Sequence, residues 1–104
     1  MTAWADGAIE ALRSGRAATV RPRGRSMAGR VEDGQVVPLE PTSSAGVLVG
    51  DVVLVRVRGR VLLHLVRAAD GRRYQIGNNR GGVNGWVGPD AVYGVAVALR
   101  KGRP

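Results

Sequence analysis

The chain has 104 residues, enough for one small domain near the lower end of what buries a core unaided, and its charge of +8 comes from sixteen basic residues, all but one of them arginine, against eight acids. No cysteine and a single histidine exclude a thiol nucleophile and argue against a His/Cys metal site, and no cofactor is expected. No stretch of about 18 apolar residues occurs, and Asp6 and Glu10 interrupt the first twenty residues, so neither a membrane span nor a secretory signal is expected and the expected compartment is the cytosol.

Hydrophobic residues make up 44% of the chain, mostly Val, Ala and Leu with no Phe, and sixteen glycines supply turns, a balance that favours sheets over helices. Residues 1–16 read as an N-terminal amphipathic helix: Thr2 can cap it, and Trp4, Ala8, Ala11 and Leu12 recur at helical spacing until Gly15. Residues 17–100 read as the β domain and residues 101–104 as a basic tail holding Lys101, the one lysine and an improbable buried amine. Within the β domain, residues 17–23 form a short strand that Pro22 places at an edge. A tight turn carrying Ser26 follows, then a strand over 34–39 and a surface loop over 41–46.

Gly50-Asp51 turns into the clearest strand, where Val53, Val55 and Val57 alternate with Leu54, Arg56 and Arg58, a half-buried pattern. Gly59 returns the chain into a strand over 61–68, with Leu62, His64 and Val66 on one face. Asp70-Gly71 signals a hairpin into Tyr74 and Ile76. Residues 77–88 read as a loop rich in glycine and asparagine, with Trp86 covering a cleft or closing the barrel end. A last strand runs over 92–99. The expectation is a mainly β fold: a small barrel-like β domain of about six strands with one N-terminal helix.

Chemistry is confined to few side chains. Ser26 lies in Gly24-Arg25-Ser26-Met27, and a serine hydroxyl is a poor nucleophile until a base takes its proton. His64 is the one imidazole that could do so. The bland alternatives are a capping or solvated Ser26, a satisfied semi-buried His64, and a Met27 that only packs the core.

The order of segments resembles the signal-peptidase and self-cleaving-repressor superfamily of serine peptidases. The resemblance rests on Gly24-Arg25-Ser26-Met27, Val49-Gly50-Asp51-Val52-Val53, His64-Leu65-Val66-Arg67, Tyr74-Gln75-Ile76-Gly77-Asn78-Asn79 and Pro89-Asp90-Ala91-Val92-Tyr93-Gly94-Val95, and spans about residues 20–99. It implies Ser26 as nucleophile and His64 as base, which places the chain with the histidine-base branch typified by endoplasmic-reticulum and archaeal signal peptidases. It also implies that Met27 and Gly24 line the substrate cleft, that the Ser26 amide serves as oxyanion donor, and that small residues precede the cut.

The chain departs from that pattern in three ways. Ala28 and Gly29 follow Ser-Met where a proline is usual, no membrane anchor is seen, and the aspartate that orients the base is missing. Asn84 falls closest to the missing acid; Asp90 is the other candidate for orienting His64.

The sequence therefore predicts a soluble serine endopeptidase with a Ser26–His64 dyad, acting on a peptide or protein substrate. The alternative is a catalytically inactive relative that binds peptides or proteins through the same cleft. A third reading, an arginine-rich β domain that binds nucleic acid, is weaker: the arginines are scattered, and stacking residues are limited to Trp4, Tyr74, Trp86 and Tyr93, so specific nucleic-acid binding is not expected. Oligomeric state is left open.

Overall fold

The computed structural model describes residues 4–100, so the Thr2 cap and the tail over 101–104, with Lys101, lie outside the described residues. One helix, α1 (Asp6–Arg13), precedes β1 (Ala18–Val20), β2 (Val37–Pro41), a single helical turn α2 (Thr42–Ala45), β3 (Val52–Val57), β4 (Arg60–Ala69), β5 (Tyr74–Gly77), β6 (Val83–Val87) and β7 (Val92–Val95). All strand pairs are antiparallel, in the order β1-β2-β7-β3-β4-β5-β6, and the sheet curls into a half-barrel. Register shifts in three of the pairings, β3–β7, β4–β5 and β5–β6, add local twist and favour the curl. Among the described residues no helix is long and apolar enough to cross a membrane.

The mainly β expectation holds, with one strand more than the six counted from sequence. The addition is β6, inside the segment read as a loop over 77–88. Its glycine content and exposed Val83 and Trp86 hide any alternation, and the strand exists because its backbone pairs with β5. The loop expected over 41–46 contains the α2 turn, the strand expected over 34–39 begins at Val37 and runs through Pro41, and the final strand stops at Val95 before a 3-10 turn, Val97–Leu99.

β3 differs most in burial. Val52, Val53, Leu54 and Val55 are all fully buried, where alternation predicts a half-buried strand. Both faces are covered: Val52 and Leu54 pack with Ile9 and Leu12 of α1, and Val53 and Val55 pack with Val66, Ile76 and Val87 inside the curl. The helix buries Ala8, Ile9 and Leu12, while Trp4 and Ala11 are more exposed than their spacing implies. At Gly94 a Cβ would sit 2.8 Å from Leu12 Cδ1 and 3.1 Å from the Glu40 carbonyl oxygen, so the helix seats this close only because β7 carries a glycine there.

The expected hairpin at Asp70-Gly71 is present. Asp70 Oδ1 accepts the N–H groups of Arg72 and Arg73 at 2.9 and 2.7 Å. The β3–β4 hairpin closes through Arg58-Gly59 and sets Val53 opposite His64.

Candidate active site

His64 is fixed by two layers of structure. The β3–β4 register positions its backbone, and the strand pleat turns its side chain to the same face as Leu62 and Val66, which belong to the core inside the curl. The residue is 7% exposed.

Ser26 sits in the tight turn expected from its neighbours, closed by the Ala28 N–H donating to the Arg25 carbonyl at 3.0 Å, within a long connection over 21–36. Gly24 takes a φ of +105°, a left-handed conformation that any side chain would strain, and its N–H donates to Asp33 Oδ1 at 2.8 Å. Beyond Ser26, Met27 opens a helical turn whose carbonyl accepts the N–H groups of Arg30 and Val31, and the side chains of Met27 and Val31 enter the core. Core packing of the next residue thus anchors the exposed serine.

A second tie comes from the β5–β6 connection. The Asn79 N–H donates to the Ser26 carbonyl at 3.0 Å, and Asn79 Nδ2 donates to the Ala28 carbonyl at 2.8 Å. Asn78 Oδ1 holds that connection in shape by accepting the N–H groups of Arg80 and Gly82. Sequence reasoning placed Asn79 in a recognisable segment but gave it no task. A clamp made partly of main-chain atoms leaves little signal in side-chain identity.

These supports bring together residues 38 positions apart. Ser26 Oγ lies 3.0 Å from His64 Nε2, and His64 Nδ1 lies 2.7 Å from Asn84 Oδ1, on β6. An amide oxygen can only accept, so Nδ1 carries the ring proton and the bare Nε2 faces the serine hydroxyl. Asn84 is therefore the partner of the imidazole. Asp90, the other candidate, sits exposed in the 3-10 turn Pro89–Ala91, and the bond that orients the ring is made by Asn84.

Burial pushes the His64 pKa below its ordinary value of 6.5; the Asn84 oxygen opposes that shift, and the positive charge of Arg60 adds to it. The imidazole is thus neutral at physiological pH, the state able to accept a proton. Among the described residues the Ser26 N–H has no hydrogen-bond partner, which leaves it available to an oxyanion.

A cleft of about 490 Å³ opens over Ser26 and His64, bordered by Trp4, Gly24, Met27 and Val31. Met27 is a core residue whose side chain also borders this cleft. Residues 60–64 of β4 all line the same cleft. Consecutive strand residues face alternate sides, so a cleft touching all five runs along the strand's edge. That edge is open: β3 pairs with residues 60–64 on one side, whereas pairing with β5 begins only at Leu65. Trp86 lies elsewhere, stacked under the Arg73 guanidinium 5.2 Å from its ring centroid, and does not cover the cleft. Among the described residues no three His, Cys, Asp or Glu side chains gather in a metal-binding group. Comparison with protein-family models, curated proteins and solved structures finds no match to any of them.

Proposed function

We propose that the chain is a serine endopeptidase in which Ser26 is the nucleophile and His64 the base. The observation that carries this reading is the unbroken line of contacts from Ser26 Oγ through the His64 ring to Asn84, at 3.0 and 2.7 Å, facing a cleft. A peptide adding as a strand along residues 60–64 would present its carbonyls to that line, using main-chain hydrogen bonds that the open edge leaves available.

As Ser26 Oγ bonds to the carbonyl carbon, its proton moves to His64 Nε2 and the Ser26 N–H receives the developing oxyanion. The imidazolium then protonates the leaving amine as the C–N bond breaks, leaving an acyl-serine. Water, deprotonated by the same nitrogen, attacks the acyl carbon, releases the acid and restores the hydroxyl. Asn84 holds the ring and its tautomer throughout, but supplies no full charge to balance the imidazolium. By the family resemblance, small residues such as Ala precede the cut.

The neutral orienting residue also favours a second reading, a cleft that binds peptides without cutting them. Treatment with a fluorophosphonate separates the two. The expected result is one phosphonyl adduct on Ser26 in the wild type, read by intact mass and peptide mapping, and none in Ser26→Ala. A folded wild type that takes no adduct leaves only the binding reading.

A further inference from the structure

We propose that the cleft selects extended peptides carrying an acidic side chain about four residues from the cleaved bond, held by Arg60 with Arg23. This rests on the peptidase reading for its register, though not for the charge preference itself. Both arginines line the cleft, and among the described residues neither guanidinium has a hydrogen-bond or ion-pair partner. Glu32 also lines the cleft, and its Oε2 accepts the Gly29 N–H at 3.0 Å, while Asp33 Oδ1 accepts that of Gly24 at 2.8 Å. Arg100 differs, since its Nε and Nη2 are engaged by Asp51 and two carbonyls.

Register follows from strand geometry. Arg60 and His64 are both on β4 and share its face, four residues or roughly 13 Å apart. A peptide lying along the open edge advances at the same rise, so a side chain meeting Arg60 is about four positions from the carbonyl at Ser26. Between these points the cleft offers apolar wall from Met27, Val31, Val61 and Leu63, which suits an apolar side chain in the interval. The occupant is then an extended segment with one carboxylate and one apolar residue on the same side of the scissile bond. Charge contributes at close range, since solvent and salt screen it beyond about 10 Å.

The test uses fluorescein-labelled Ala-rich peptides with Glu, Gln or Lys four residues before or after a central Ala-Ala bond. Anisotropy titration with the Ser26→Ala protein measures binding without cleavage. The Glu peptide of one polarity is expected to bind about fivefold more tightly than its Gln counterpart, the upper end for an exposed ion pair, and the advantage should vanish in 1 M salt. Arg60→Glu should reverse the preference towards Lys, with circular dichroism reporting the fold, and Arg23→Glu should weaken it. Equal binding of Glu and Gln peptides, a preference unchanged in Arg60→Glu, or no measurable binding of any peptide overturns the proposal. Adduct formation on wild-type Ser26 without charge discrimination removes this inference and keeps the peptidase; discrimination without an adduct does the opposite.

Discussion

Replacing His64 with alanine is expected to slow phosphonylation of Ser26, and hydrolysis of any peptide the protein cuts, by roughly 10²–10⁴-fold at pH 7.5. The size follows from what the ring supplies: an unassisted serine hydroxyl must lose its proton to water, whereas Nε2 at 3.0 Å accepts it as the new bond forms. The pH dependence has a definite sign. Protonated imidazole cannot accept the hydroxyl proton, so the wild-type rate should fall as pH drops through the pKa of folded His64. Burial, the largest influence on that group, places its pKa below 6.5, and the midpoint of the rate profile should lie there too. Asn84→Asp puts a negative charge at Nδ1 and should move the midpoint upward; because a carboxylate also stabilises the imidazolium, the plateau rate should rise. Stopped-time mass spectrometry across pH 4–8 measures all three proteins. Equal rates in wild type and His64→Ala would remove the base.

The largest expected loss of stability comes from Arg100→Ala. Asp51 is 1% exposed, and its carboxylate is held from two directions: Arg100 donates through Nε at 2.8 Å and Nη2 at 3.0 Å, and the Leu48 N–H donates at 2.8 Å. The same Nη2 reaches the carbonyls of Ala45 and Gly46. Truncating Arg100 leaves a buried carboxylate with one backbone donor, a situation that costs 3–5 kcal/mol when burial is complete. Arg100 is 15% exposed, so water can enter its place and the lower figure, about 3 kcal/mol, applies. For a domain of this size that lowers the melting temperature by roughly 12–24 °C, measurable by thermal unfolding at pH 7. A fall of less than about 4 °C would show that the pair contributes little. The ion pair also bears on the site. Asp51 closes the turn into β3, its carbonyl accepts the Val66 N–H of β4, and the β3–β4 register places His64.

Legibility in the sequence varied with the length scale of the signal. The alternation in Val53, Val55 and Val57 and the Asp70-Gly71 turn are local, and both elements formed where those residues indicated. The burial of β3 on both faces was not legible, because it depends on α1 and the curled strands arriving from opposite ends of the chain. β6 was hidden by Gly85 and its exposed side chains, since only Val87 enters the core and the rest of the strand is held mainly by main-chain pairing with β5. At the site, Ser26, His64 and Asn84 stood out as residue types with a chemical use, but their meeting is a tertiary event set by Met27 burial, the Asn79 clamp and the β3–β4 register. The open edge of β4 was invisible for the same reason: it exists because β5 is too short to cover it.

Because the chain contains a single histidine, ¹⁵N NMR of the imidazole reads the relay directly. Above its pKa, the His64 ring should show a protonated Nδ1, bonded to Asn84, and a bare Nε2, shifted by the hydrogen bond it accepts from Ser26. A ring protonated on Nε2 instead would leave no lone pair facing the serine, and the proton transfer on which the proposed chemistry depends could not occur.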